Sequence, residues 1–525
     1  MTSTGIAPLK SVCLVVVVAS QVVSVTLAQD NRLLPPGDRA YDAIVFLQRR
    51  GHLLELNPTS LPYRYGDVRE ALARIDTTTL GRSARHRVRL LKSVVRRTEG
   101  EAAFGYSFEA GARLMSGNRL DVLRPLADSL NVWWYGAPAT VYADAGPIVA
   151  ELGIRQDSYF DDDPDGLDVG LRLLSRSEHT YVGWHERLFS VYLGRFGQHW
   201  SVPGEAATVL SANAHTQDQI VLRLGGERLS VLASLRELDS ITDDGRFTGR
   251  VADDTVRVGN RRRYLAVHRW DWRPSRRLSL SIMESVVYSG ANAGPSLRYL
   301  NPLHPAIVVV DNRPKNEENN GMVAGLVWAQ ARRFTVHGQL MVDDINVQGI
   351  GNETLTYAFA GSVVYALGTA DIGGSLTAVS SRTYNAPQPE GKYVYLLRGL
   401  ATQFSDYVLL STFADVYVDH FAPGLVVSPR LDWLRQGERD IRQPFPAKDQ
   451  ELKNILDGTV MAIVRPALRL SWQPSPWWWV RADVGVNFVH NAGHVTGSTE
   501  SRFVGLVEAG FRVRLDRALE LSWGR

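Results

Sequence analysis

The chain has 525 residues, with 58 Lys and Arg against 55 Asp and Glu and a formal net charge of +3. A charge this small and dispersed excludes the clustered basic surface that nucleic-acid binding requires. Hydrophobic residues make up 45% of the chain and mean hydropathy is −0.13, with no long apolar run beyond the N-terminus, so membrane helices are excluded and only strands remain for crossing a bilayer.

Residues 1–28 read as an export signal. Lys10 precedes an apolar stretch, and Thr26, Leu27 and Ala28 end it before Gln29 and Asp30, which predicts cleavage after Ala28. The single cysteine, Cys13, lies inside this signal without the small-residue context of a lipoprotein site, so the exported chain carries no thiol, as suits a bacterial envelope. Residues 29–100 follow a helical pattern and form a small Arg-rich module. Asp38 is placed to cap a segment carrying Tyr41, Ile44, Val45 and Phe46, and Asp67 one carrying Val68, Ala71, Leu72 and Ile75. Thr79 precedes a third segment carrying Val88, Leu91, Val94 and Val95. Two roles fit such a module: an ordinary folded subdomain, or one that plugs a channel or docks a partner.

From residue 101 to 525 the period is two. In residues 480–488, Val480, Ala482, Val484, Val486 and Phe488 share one parity, while Arg481, Asp483, Gly485 and Asn487 share the other. Trp477, Trp478 and Trp479 stand beside a proline turn at its start, and a soluble core rarely places so much indole at a bend. In an outer-membrane barrel the same alternation puts lipid outside and water inside, with aromatic girdles where the strands turn back. Val507, Ala509, Phe511, Val513 and Leu515 again oppose Glu508, Arg512 and Arg514. Short turns are expected at 272–277, 472–477 and 515–519, and long loops at 434–454 and 490–502. A last strand is expected over 519–525, whose Trp523 resembles the terminal aromatic of bacterial outer-membrane barrels, although Gly524 and Arg525 follow it. At roughly 24 residues per strand with its share of loop, the chain after residue 100 predicts an all-β, transmembrane antiparallel β-barrel of about 16–18 strands.

Few motifs point to chemistry. Asp161, Asp163, Asp165 and Gly166 match the opening of a calcium loop, but Arg172 stands where a bidentate Glu is needed, so a solvated acidic turn is favoured and no metal is expected. Residues 243–245 read as hairpin-turn chemistry. The histidines are scattered and no nucleophile elbow, Walker loop or His-Glu-x-x-His pair occurs, so no enzyme activity and no cofactor are expected. A Ser/His pair assembled from distant strands, as in outer-membrane phospholipases, is the enzymatic alternative.

Residues 191–215, 298–322 and 337–345 mix Trp and His with inward polar groups, which suits sugar binding, because aromatic faces stack on pyranose rings while amides and carboxylates bind hydroxyls. The competing reading makes Trp200 a packing or lipid-facing residue and Asn301-Pro302 a strand end. These blocks carry Gly194, Arg195, Trp200, Pro203, Gly204, Leu210, Ser211, Asn213 and Ala214, then Tyr299, Asn301, Pro302, Asp311, Asn312, Asp343 and Asp344. In this the chain resembles the capsule assembly Wzi family of outer-membrane proteins, densely from residue 191 to 345 and by architecture elsewhere. It departs where Ser201-Val202 replaces the glycine expected after the tryptophan. The resemblance implies an 18-stranded barrel with a helical part on the periplasmic side, acting as a lectin that holds capsular or exopolysaccharide at the cell surface. Its candidate contacts here are Gln198, His199, Trp200, Asp311, Asn312 and Asp343. The expected partners are that polysaccharide and outer-membrane lipids, with no nucleic acid, and the chain is expected to act as a monomer. A passive porin for sugars or small solutes is the alternative, since polar-in alternation lines a channel equally well.

Overall fold

A computed structural model describes residues 30–97, 102–117, 121–124, 133–161, 163, 175–240, 262–290, 293–305, 318–343, 356–387, 389–396, 398–446 and 452–519. The export signal, most of the 161–166 acidic run, Asp311, Asn312, Asp344 and the expected strand after Leu519 lie outside the described residues.

Strands β1 (Ala102–Met115), β2 (Trp133–Ala145), β3 (Ile148–Asp157), β4 (Ser175–Ser177, continuing as Thr180–Glu186), β5 (Phe189–Arg195) and β6 (Asp218–Gly225) open a meander. It continues through β7 (Leu229–Leu238), β8 (Arg262–Ser275), β9 (Leu278–Gly290), β10 (Glu318–Ala331), β11 (Phe334–Asp343) and β12 (Thr356–Ala366). It ends with β13 (Ala370–Val379), β14 (Tyr407–Tyr417), β15 (Leu425–Gln436), β16 (Met461–Trp472), β17 (Trp478–His490) and β18 (Thr499–Leu519). Every neighbour pairs antiparallel, and β18 closes the sheet on β1 from Leu506↔Met115 to Leu519↔Ala102. Counting the interrupted β4 once, the described residues form a closed barrel of 18 strands, at the upper end of the expected range.

The interruption in β4 is a bulge. Ile154 pairs with Ser177 but Glu151 with Tyr181, a shift of one residue. It turns His179 inward, where its Nε2 lies 3.0 Å from the Leu33 carbonyl oxygen. Gly153 is needed opposite, because a Cβ there would stand 2.6 Å from the His179 carbonyl oxygen.

The alternation has its expected outcome. Phe104, Tyr106 and Phe108 on β1, Leu152 and Ile154 on β3, and Phe511, Val513 and Leu515 on β18 are exposed, while Glu109, Arg113, Glu508, Arg512 and Arg514 turn inward. A charge on the outer face at mid-bilayer would cost about 2–4 kcal/mol, which fixes the parity. The turn expected at 515–519 is corrected: β18 runs straight through it, because Arg514 and Asp516 keep the inward parity and pair at 2.9 Å, and the Tyr142 hydroxyl donates to Asp516 Oδ1 (2.5 Å). Turns at 276–277 and 473–477, and loops at 437–460 and 491–498, fall where expected.

Helices α1 (Ala40–Arg49), α2 (Tyr65–Ala73) and α3 (Arg82–Val94) pack their apolar faces together around Ile44, Leu47, Val68, Val88 and Leu91. Asp38 Oδ1 accepts the Ala40 N–H (2.8 Å), whereas Asp67 sits inside the first turn of α2 and pairs with Arg64 instead of capping. The helices sit within the mouth formed by the short turns, the periplasmic end of such barrels. Arg87 pairs with Asp419 (3.0 Å) at turn 418–424, the Arg50 Nη2–H donates to the Leu367 carbonyl oxygen (2.8 Å), and Arg276 pairs with Glu55 (2.9 Å). Asp371, wholly buried, pairs with both Arg49 (3.2 Å) and Arg50 (2.8 Å) and accepts the Tyr417 hydroxyl (2.7 Å).

Candidate functional site

Above the helices, loops 196–217 and 380–406 fold into the lumen and form a second apolar core with inward strand residues, including Trp200, Val209, Leu210, Met341, Tyr384 and Tyr393. The Tyr384 and Tyr393 hydroxyls donate to the carbonyl oxygens of Thr208 (2.6 Å) and Val209 (2.8 Å), locking one loop to the other. Where these two fillings leave the wall of β1–β3, β17 and β18 uncovered, a cavity of about 1120 Å³ remains. It reaches from Arg96, Pro476 and Trp477 near the short-turn rim to residues 211–217, Asp163 and Arg398.

Chain chemistry explains the shape of this space. Gly510, Gly111 and Gly136 are cross-strand neighbours on β18, β1 and β2; the Trp479 ring packs over Gly510 and Gly111, the wall stays bare at Gly136, and Gly111 and Gly136 line the cavity. Eleven arginines and eight carboxylates line it, a cationic excess, together with Tyr65, Trp134, Tyr159, Phe160 and Trp479. Most of these charges are paired within its walls: Arg113 with Glu508 (3.0 Å), Arg155 with Asp157 (2.6 Å), Arg398 with Asp163 (2.8 Å), and Arg512 with both Asp38 and Glu109 (each 2.8 Å). Burial alone would raise Asp38, but the charges of Arg512 and Arg39 outweigh it and hold its carboxyl below the usual range. The Arg39 guanidinium stacks 4.1 Å from the centre of the Trp479 ring.

The residues expected to bind sugar fall in different places. Gln198 alone lines this cavity; it is buried and its Oε1 accepts from Arg236. His199 lines a separate cavity of about 360 Å³ with Pro203, Gly204, Asn213 and Gln403. Its ring is neutral, since burial pushes its pKa down to about 4, and Nδ1 accepts the Ala212 N–H (3.4 Å) while Nε2 bonds the Val202 carbonyl oxygen (3.2 Å). Trp200 has no exposed surface, so as a direct sugar contact it is corrected to a core residue of the plug; its Nε1 finds no acceptor among the described residues. Asp343 is buried as well, its Oδ2 accepting the Tyr384 N–H (2.6 Å), which makes it a tie for loop 380–406. Asp311 and Asn312 lie outside the described residues.

Other residues of the matched blocks are architectural. Gly194 has φ +135° with the Thr180 carbonyl oxygen where a Cβ would go, so only glycine fits. Tyr299 lies on the outside of the barrel, stacked on Tyr288 at 4.5 Å and accepting at its carbonyl oxygen from His268 Nε2 (2.8 Å). Residues 293–305 thus cover an outward polar His268–Glu284 pair, and Asn301-Pro302 lies in a loop. Sequence reasoning missed Arg39, Arg113, Trp134 and Arg236. Parity announces Arg113 as inward, but nothing local says that the wall beside it is left bare.

No protein-family model and no curated protein matches the chain. Among solved structures, one matches at a TM-score of 0.61 and 10% identity over 92% of this chain and 99% of the other. The chain is similar in fold to Wzi. That Escherichia coli protein is described as an outer membrane protein involved in group 1 capsule assembly and a carbohydrate-binding β-barrel. Pseudomonas aeruginosa OccK1 (OpdK) matches at a TM-score of 0.44 and 11% identity, covering 79% of this chain and 99% of that one. Acinetobacter baumannii OccAB2 matches at 0.43 and 10%, covering 79% and 98%. The Wzi likeness extends over nearly the whole chain, and the fold is that of an outer-membrane β-barrel.

Proposed function

We propose that this chain is a non-enzymatic outer-membrane barrel, exported by its first 28 residues, that binds capsular or exopolysaccharide and holds it at the cell surface. The observation that carries this reading is the cavity: about 1120 Å³ of space inside a filled barrel, walled by arginines, amides and aromatic rings. The bare wall at Gly136 leaves room for a ring-shaped ligand, guanidinium and amide donors suit hydroxyl and carboxylate oxygens, and aromatic faces suit pyranose faces. Similarity in fold to a carbohydrate-binding barrel supports the same reading. Among the six contacts expected from sequence, Gln198 is retained here, and Asp311 and Asn312 remain part of the proposal. The barrel works as a monomer with outer-membrane lipid around it. Glycan arrays and pull-downs with the host's surface polysaccharide test this directly. Saturable binding and capsule loss on deletion of the gene are expected; no binding together with unchanged capsule retention overturns it.

A second reading, a passive porin for sugars or small solutes, is favoured by one observation, that the same cavity is lined by residues from the short-turn rim and from the loops. Steady conductance in planar bilayers, indifferent to polysaccharide, would favour it over the first.

A further inference from the structure

Arg236 on β7 is 2% exposed, yet among the described residues no carboxylate pairs with it. Its guanidinium is held by neutral oxygens only: Nη1–H donates to Gln217 Oε1 (2.7 Å), Nε–H to Ser234 Oγ (3.3 Å), and Nη2–H to Gln198 Oε1. Arg273, 5% exposed, is likewise held by carbonyl oxygens, of Leu54 and Glu55, but it does not line the cavity, and the three described arginines with no exposed surface are built differently. Arg269 has Asp271 at 2.8 Å, Arg465 has Asp483 at 2.7 Å and Arg263 has Asp239 at 3.4 Å. Burying a guanidinium without a counter-charge is costly, and amide dipoles offset only part of that cost. Three of its five N–H groups are used, and the side chain lines the cavity together with Gln198 and Gln217. The fold therefore holds a cation in position with donors to spare and leaves its charge unanswered.

We propose that Arg236 is the recognition point for a carboxylate on the ligand, so that the polysaccharide taken by this cavity is one bearing carboxylated sugars. This rests on the polysaccharide reading above. Gln198 and Gln217 act as positioning residues: each turns its amide oxygen to the guanidinium, which orients the free N–H groups toward the cavity, and the Gln217 amide is itself fixed by donating to the His215 carbonyl oxygen. A carboxylate accepting both free N–H groups would meet the planar donor pair for which guanidinium is suited. The same chemistry is offered by a free uronate and by a uronate within a polymer, and the test separates the two.

The experiment compares wild type, Arg236→Gln and Arg236→Lys as refolded full-length barrels, titrated with free glucuronate, with a glucuronate-containing oligosaccharide and with a neutral glucose oligosaccharide of the same length. Thermal unfolding is followed in parallel. We expect Arg236→Gln to lose at least tenfold in affinity for both carboxylated ligands, to keep the wild-type affinity for the neutral one, and to unfold at the wild-type temperature or above it, since an unbalanced buried charge has been removed. A structural arginine would instead lower the unfolding temperature. Arg236→Lys, which restores charge without the fork, should recover part of the carboxylate affinity. Equal affinity of wild type and Arg236→Gln for the acidic oligosaccharide overturns the carboxylate site and leaves the polysaccharide reading standing. Binding of free glucuronate alone, lost in Arg236→Gln, keeps the carboxylate site and overturns the polysaccharide reading. Wild type binding none of the three overturns both.

Discussion

Consecutive residues of a barrel strand meet different solvents, and Trp477, Trp478 and Trp479 make the point. Trp477 closes the turn at 54% exposure and Trp478 faces outward at 39%, both at the level of the headgroups, while Trp479 turns inward under Arg39 at 8%. Side-chain parity was legible in the sequence, because a charge on the wrong face has no partner. Trp200 shows where residue-level reading stops: tryptophan beside histidine in a polar loop suits a sugar platform and a plug core equally, and only the folding of loop 196–217 into the lumen decides. Its role predicts that Trp200→Ala lowers stability by about 3–5 kcal/mol through the cavity it leaves. That loss should appear as a lower urea midpoint, with ligand affinity per folded molecule unchanged. Gly136 makes the opposite prediction. A Cβ there meets the Asp157 carboxylate at 3.4 Å and the Gln156 carbonyl oxygen at 3.6 Å, both ordinary van der Waals contacts. Gly136→Trp should therefore leave the urea midpoint near wild type while occupying the cavity and abolishing polysaccharide binding, as read by pull-down.

The helical element is held to the barrel by charge as well as by apolar contact. Asp371 is the hub, with two guanidiniums and a tyrosine hydroxyl on one buried carboxylate. Asp371→Asn leaves those cations without a counter-charge, and breaking a buried pair from one side costs about 3–5 kcal/mol. We expect proteolysis within residues 40–94 to speed up while the strands stay protected; equal protection of the helices would show that apolar packing suffices. Acid acts on the same attachment. Burial raises the carboxyls of Asp30, Asp38 and Asp419, but Arg32, Arg512 and Arg87 respectively, with their other partners, lower them further. Each thus has a folded pKa below the unfolded value of about 3.9, so its stabilisation is complete above that value and disappears as pH falls through the folded pKa. Helix release, followed by protease susceptibility, is predicted below about pH 4, and Asp38→Asn should flatten that acid transition. The helices themselves were legible from their apolar spacing; their seat in the barrel mouth was not, since Arg49 and Arg50 stand more than 300 residues from Asp371 in the chain.

At the scale of the whole molecule, a period of two after residue 101 and an alternation of short and long connections call for a closed meander of about 16–18 strands, and the described residues form one of 18. The one turn misplaced, at 515–519, shows that a charged run such as Arg514-Leu515-Asp516 reads as an inward Arg514–Asp516 pair on a continuing strand as readily as a bend. The cavity was the least legible feature, because it is defined by what two fillings and the bare wall at Gly136 leave empty, and no local signal encodes an absence. Its walls mix opposite charges with a net cationic excess, so polymer binding should weaken as salt rises, most steeply for acidic chains. The central claim, that this filled barrel takes polysaccharide into an arginine-lined space, is tested most directly by equilibrium binding of the purified, refolded protein to its host's surface polysaccharide at low and high salt. The account predicts saturable binding that weakens with salt and is lost in Gly136→Trp. Absence of binding at low salt, or binding that Gly136→Trp leaves intact, would contradict it.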